Sequence, residues 1–196
     1  MKHSLRTAGF IFVACLAGVV LSHPLFGADA EPKEAAPAKV IDLAGWESED
    51  AQYSNPVEAL TVAEGKQLKI TYVGGAKDKA VMWKNLEEQK VSAKGTLRFR
   101  VANPNAKTVQ ITVVVKTGAN YTFHESERIA IKPGGETFQD VTIALGGFTF
   151  KSQATEWKNT GAIADPDEVR SIQIGIYNGK DSGALIVSDL EIVPKP

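Results

Sequence analysis

Apolar and polar residues alternate with a period of two along much of this chain, most clearly between Val169 and Val193. In VRSIQIGIY, Ile172, Ile174 and Ile176 share one face and Ser171, Gln173 and Tyr177 share the other. GALIVSDLEIV repeats the pattern after the turn-rich NGKDSG. Such alternation marks a strand with one buried and one wet face, so this stretch predicts a closing β-hairpin. Further strands are expected around Leu68, Ile70 and Tyr72, around Leu97, Phe99 and Val101, around Val109 to Val115, and around Val141, Ile143 and Leu145. Breakers separate them at Gly74-Gly75, Asn103-Pro104-Asn105, Pro133-Gly134-Gly135 and Gly146-Gly147. Past the N-terminal region no segment carries a sustained 3.6-residue period. The expectation is an all-β chain folded as a two-sheet antiparallel β-sandwich, or jelly roll. Asp165-Pro166-Asp167-Glu168 predicts one helical turn leading into the Val169 strand, with a capping Asp, a Pro at the first helical position and acids in the first turn.

The N-terminus departs from this pattern. Lys2 and Arg6 precede an apolar run, Ala8 to Leu21, and Ala28-Asp29-Ala30 follows as a small-x-small cleavage site. The run is about 14 residues, short of the ~20 that span a bilayer as a helix. Residues 1–30 therefore read as an export signal, 31–38 (EPKEAAPA) as a linker and 39–194 as the sandwich domain. Export leaves the periplasm, the cell surface and the medium open as destinations, with no membrane span once the signal is gone. The single cysteine, Cys15, lies within the signal, so the domain must rest on its apolar core without a disulfide. Formal net charge is −1 and no basic stripe stands out, which argues against a nucleic-acid partner.

Catalytic signatures are sparse. His124, in TFHESER, is the only histidine past residue 30. Zinc sites usually take three or four ligands with more than one His or Cys, so His124 reads as an exposed polar residue. No G-x-S-x-G elbow supports a serine triad. One histidine cannot furnish the metal site of a cupin, and no strand carries the paired carboxylates that flank a scissile glycosidic bond.

Binding chemistry is better represented. An aromatic ring can stack on the apolar C–H face of a sugar while polar neighbours bond its hydroxyls. Trp83, in phase with Val81, reads as core, and Trp46 as packing the first strand onto the sandwich. Tyr121 and Trp157 are the candidate ligand rings. Trp157 sits in a long polar loop and either pins that loop or contacts a ligand. If their strands are neighbours, Arg98, Arg100, Lys116, Gln173 and Tyr177 line one polar face able to take a glycan, including an acidic one; the alternative is an ordinary wet sheet face. Asp42 and Asp189, in the first and last strands, could join main-chain carbonyls around a structural calcium ion or simply face water.

Gly45-Trp46-Glu47, GTLRFRVANP, the Trp157 loop ending in DPDEVR, and IQIGIYNGKDSGALIVSDLEIV together resemble the jelly-roll carbohydrate-binding-module-like, or galactose-binding-like, domains of secreted proteins. The resemblance spans most of Lys39 to Val193 and implies a non-catalytic module, a glycan or polysaccharide partner, and a structural calcium near the first and last strands, where Asp42 and Asp189 map. Arg98, Arg100, Lys116, Tyr121, Trp157 and Tyr177 are the expected ligand-binding residues. Two other functions share these features: a cell-envelope structural or protein-interaction domain without a sugar ligand, and a polysaccharide lyase or hydrolase on the same fold. The lyase or hydrolase requires His124 or Tyr121 in a cleft with an acid and a base.

Overall fold

The computed structural model describes residues 37–195; the expected export signal lies outside them. Within them no helix is long and apolar enough to cross a membrane. Among the described residues, twelve strands form two antiparallel sheets. The strands are β1 (Lys39–Val40), β2 (Glu47–Ser48), β3 (Val57–Val62), β4 (Gln67–Tyr72), β5 (Ala80–Asn85), β6 (Gly95–Ala102), β7 (Val109–Thr117), β8 (Thr122–Glu125), β9 (Ile129–Ile131), β10 (Phe138–Ala144), β11 (Val169–Tyr177) and β12 (Gly183–Pro194). The first sheet runs β10-β6-β12-β4-β3, with β1 also on β12. The second runs β2-β5-β11-β7-β8, with β9 also on β7. The two-sheet β-sandwich read from the alternation is the fold observed.

The core lies between the sheets. Leu97, Phe99, Val101, Leu185 and Val187 of the first sheet share one buried cluster with Ile111, Val113, Val115, Ile172, Ile174 and Ile176 of the second. Full burial of each such side chain contributes ~1.5–3 kcal/mol. Trp46 joins this cluster, as its position beside the first strand predicts.

The expected closing hairpin is not formed. β11 pairs with β5 and β7, whereas β12 pairs with β4, β6 and β1. Residues 178–182 carry the chain from one sheet to the other. Both strands bury alternate residues in the same core, so alternation reveals the buried face without revealing the partner. Trp83 is a second correction. Ala80 and Met82 face the core, while Trp83 stands opposite Gln173 on the outer face and is only part-buried. Its phase with Val81 is real, but that phase points outward, where Val81 is buried by other means. The turn at Asp165 is a third. Glu168 N–H donates to the Asp165 carbonyl at 3.0 Å, but Asp165 is left-handed (φ 46), so the segment is one hydrogen-bonded turn rather than a capped helical one.

Two local devices set the ends of the sandwich. In β12 the register with β6 shifts between Ser188 and Glu191, and Asp189 adopts φ 54 there, a bulge conformation that Asp tolerates better than most residues. At the crossing, Gly74 passes so close to residues 178–182 that an added Cβ would lie 2.0 Å from the Lys180 carbonyl oxygen. Neither backbone can yield cheaply. Gly74→Ala is therefore expected to cost about 1–3 kcal/mol of stability in urea unfolding, through overpacking; an unchanged midpoint would show that the crossing loop moves freely.

Candidate functional site

The two outer faces differ. On the first sheet, outward residues such as Glu58, Lys69, Arg98, Arg100, Asp140 and Thr142 are exposed. On the second, outward residues are buried although they no longer face the core: Thr112 is 0%, Val114 1%, Gln173 3% and Glu125 3% exposed. Side chains and loops around the rim cover them. Burial outside the core means that this face lies under its own side chains and rim, where the first sheet's outer face is open.

Glu125 organises the floor. β8 pairs with the C-terminal part of β7 and β9 with its N-terminal part, and between them Ser126 is pinned to Val113 by bonds in both directions. This interruption holds the buried Glu125 outward. Its carboxylate accepts the Tyr177 hydroxyl at 2.6 Å and lies 3.1 Å from Lys79 Nζ and 3.4 Å from Lys151 Nζ. Burial alone would raise its pKa, yet the Tyr177 bond and the two lysines hold it below the usual glutamate range. The Tyr177 phenol moves the other way: burial, the hydrogen bond to Glu125 and the nearby carboxylate charge push it up to about 12. At neutral pH it keeps its proton and donates. Beside this group, Glu49 accepts Gln173 Nε2 at 3.0 Å and lies 3.9 Å from Lys116 Nζ.

Aromatic residues close one end. Phe123 stands beside Lys116 on the outer face, and Trp157 meets it edge-on with centroids 5.8 Å apart. Asn120, Tyr121, Phe123, Gln153 and Trp157 line one cleft. Trp157 is 57% and Tyr121 50% exposed. Both are left-handed (φ 61 and 51), as is Glu156 (φ 53). Such backbone costs energy and persists only where surrounding bonds fix it. Here Trp157 N–H donates to the Ser152 carbonyl at 3.0 Å, and Ser152 and Thr155 form a reciprocal cap. The loop is locked so as to present the indole rather than bury it.

The residues expected from sequence divide between the faces. Lys116 and Tyr177 lie on the recessed face, with Tyr121 and Trp157 at its end. Arg98 and Arg100 lie on β6 in the opposite sheet, so they cannot share a site with the others. Arg100 instead contacts Asp189 at 3.3 Å and Asp140 at 3.9 Å and stacks on Phe138. Lys79, Phe123, Arg128 and Lys151 carry no signal in the sequence, and Glu125 is legible there only as an acid beside His124. The polar residues come into register with a buried strand face only once β8 is docked on β7.

Asp42 follows β1, and Asp189 lies on its partner strand β12. β1 pairs with β12, and Ile41 N–H still donates to the Leu190 carbonyl. Asp42 Oδ1 accepts the Ala44 N–H, while Asp189 holds Arg100 and the Ser188 hydroxyl. Calcium needs six to eight oxygens. Two carboxylates, one of them bound to a guanidinium, do not by themselves fit that demand, and among the described residues no group of three or more acidic, His or Cys side chains converges on a metal position. His124 is also not the exposed residue expected. It faces inward opposite Val115, is 2% exposed, and accepts the Ala164 N–H at 3.3 Å. Burial pulls its pKa below the ordinary 6.5 against the opposing effect of Asp165.

No protein-family model matches this chain, and no curated protein does. Solved structures do. A family 11 carbohydrate-binding module from Clostridium thermocellum, in complex with a β-1,3-1,4-mixed-linked tetrasaccharide, matches 80% of this chain with 95% of its own at 14% identity and a TM-score of 0.54. A family 11 module studied in solution matches 84% with 99% of its own at 13% identity and a TM-score of 0.58. An agarase matches 81% of this chain over 25% of its own, at 15% identity and a TM-score of 0.57. At these identities the likeness is one of fold, and it agrees with the resemblance read from the sequence.

The Glu125 group gives a prediction in two parts. Tyr177→Phe removes a hydrogen bond to a buried charge and is expected to cost about 1.5–3 kcal/mol in denaturant unfolding at pH 7. Because the native pKa of Glu125 is depressed, its contribution is present above the unfolded value of 4.5 and disappears as pH falls through the native one. Tyr177→Phe should shrink that acid loss. Equal losses in both proteins below pH 4.5 would show that the phenol does not hold the carboxylate.

Proposed function

We propose that this chain is a non-catalytic carbohydrate-binding module of an exported protein, and that it grips its glycan on the recessed outer face of the second sheet. The observation that carries the reading is the pairing of a buried polar floor with exposed, backbone-locked rings at its end. Trp157 and Tyr121 offer flat apolar surface for the C–H face of a sugar ring, with Phe123 behind Trp157. Gln173, Lys116 and Glu49 offer donors and acceptors for hydroxyls. A site that uses few, well-placed polar groups beside aromatic surface is the usual construction for a small polar ligand.

The fold neighbours support the same reading. One of them is a module bound to a mixed-linked tetrasaccharide, and in an agarase the matched region is a quarter of a larger chain. The chemistry of the floor favours binding over turnover. Tyr177 keeps its proton far above neutral pH, Glu125 is held ionised by three partners, and His124 lies inside, away from the face. A general acid or base works best with a pKa near the operating pH, which Tyr177 and Glu125 lack. The N-terminal export signature sends such a module to the periplasm, the cell surface or the medium. The expected calcium position is separate from this site: Asp189 lies on β12 of the first sheet, and Asp42 follows β1, which pairs with β12.

Isothermal titration against soluble polysaccharides tests the reading. Trp157→Ala should weaken binding about tenfold, or ~1.4 kcal/mol, in line with loss of ring stacking and its buried area. Arg100→Ala, on the opposite sheet, should leave affinity unchanged. The reverse result, with Trp157 silent and Arg100 essential, would move the site to the first sheet.

A further inference from the structure

The recessed face carries more positive charge than it neutralises. Lys79, Lys151 and Arg128 all converge on the Tyr177–Glu125 pair. Lys79 Nζ and Lys151 Nζ share one oxygen of Glu125. Lys79 Nζ also lies 5.4 Å from the Tyr177 ring centroid, and the Arg128 guanidinium carbon lies 3.8 Å from it. One carboxylate is thus shared by two lysines, while the Arg128 guanidinium stacks on the adjoining phenol ring and forms no ion pair among the described residues. Glu127, the adjoining acid, is exposed and forms no ion pair with them among the described residues. The Tyr177 ring is given over to cations, so it is no stacking platform. It holds charge in place at the floor, where the lysines are only about a fifth exposed (23% and 22%). Cations held beneath the surface are screened less than those in open solvent.

A second observation lies beneath Lys79. Thr112 is fully buried, and its hydroxyl has no hydrogen-bond partner among the described residues. It stands opposite Gly175 on the outer face, not in the core. A Cβ on Gly175 would come 2.9 Å from the Thr112 hydroxyl and 3.5 Å from Lys79 Cδ. The Thr112 hydroxyl and the Lys79 stem therefore fill the floor so closely that no side chain fits at Gly175, and it is the Lys79 stem that lies nearest the hydroxyl there. Buried hydroxyls without partners are rare and call for an explanation. A ligand oxygen that draws the Lys79 ammonium toward itself would uncover this donor and use it.

We infer that the floor around Tyr177 is an anion subsite of the binding face, built for a carboxylate or sulfate carried on a sugar. Lys79, Lys151 and Arg128 receive its charge, and the Thr112 hydroxyl donates to one of its oxygens. The subsite adjoins the ring platform. Lys79 Nζ lies 5.8 Å from the Phe123 centroid, and Phe123 in turn meets Trp157. One sugar stacks on the rings while a neighbouring acidic sugar enters the floor. The ligand class is accordingly an anionic polysaccharide. This inference rests on the sugar-binding reading above and goes beyond it in naming the charge.

Affinity electrophoresis and titration of the purified protein against polygalacturonate, a sulfated galactan and a neutral mixed-linked β-glucan provide the test. The first two distinguish carboxylate from sulfate. The expected result is tightest binding to one of the polyanions, weakened at least tenfold between 20 mM and 500 mM salt. Arg128→Gln, at an exposed residue and with its fold checked by unfolding curves, should weaken that polyanion about tenfold and spare the neutral glucan. Lys79→Gln should do the same, with unfolding curves checking its fold because it also neutralises Glu125. Lys69→Gln, on the other sheet, should change nothing. Equal or tighter binding of the neutral glucan would overturn the anion subsite and leave the sugar-binding reading standing. Equal weakening by Lys69→Gln would reduce the effect to unspecific charge attraction and overturn it as well. Binding to none of the three would sink both.

Discussion

A single carboxylate with almost no access to water sets the terms for one side of this molecule. An ionised Glu125 at the outer face of the second sheet must be compensated, because an uncompensated buried charge costs several kcal/mol. Compensation requires three groups from separate parts of the chain: Tyr177 near the end of β11, Lys79 just before β5, and Lys151 in the segment that forms a bridge with β8. Each partner fixes the element that carries it. The bridge between Glu125 and Lys151 also fixes the start of the loop that presents Trp157. The polar floor and the ring platform are consequently parts of one construction.

That construction explains why the two faces of the sandwich behave differently. On the first sheet, charges such as Arg100 and Asp189 meet at the surface in water, where a pair contributes little. On the second sheet the same residue types are drawn below the surface and organised by hydrogen bonds. A wholly structural face has no need of that arrangement, since apolar residues of similar volume often serve stability as well or better. Burying polar groups on an outer face, while leaving two large rings exposed beside them, is costly for stability and useful for recognition.

Much of the fold was legible in the sequence. The long strands β4, β6, β7, β10, β11 and β12 announce themselves by alternation, and breakers mark the connections between them. What alternation does not encode is partnership. β11 and β12 look like a hairpin because both bury every second residue, yet they lie in opposite sheets across one core. Trp83 misleads for a related reason: a strand whose two faces are both covered offers no polar contrast to say which face is inward. The site was legible only in part. Trp157 was visible as an aromatic in a polar loop, and Lys116 and Tyr177 as outward positions on strong strands. Glu125, Lys79 and Lys151 stay hidden because each is an ordinary charged residue until the short strand β8 docks and brings the three together. Arg98 and Arg100 join Lys116 and Tyr177 on one face only if their strands are neighbours, and strand neighbours cannot be deduced from strand faces; β6 lies in the other sheet.

The proposed function requires the second sheet's outer face, and not the first's, to receive the ligand. The most direct test is to map backbone amide shifts by NMR while titrating an oligogalacturonide and, separately, a mixed-linked gluco-oligosaccharide. The account predicts that perturbations cluster at Thr112, Lys116, Phe123, Glu125, Trp157, Gln173 and Tyr177, with β6 and β10 silent. Perturbations confined to β6, β10 and the outer residues of β12 would contradict it and make the buried carboxylate group a matter of structure alone.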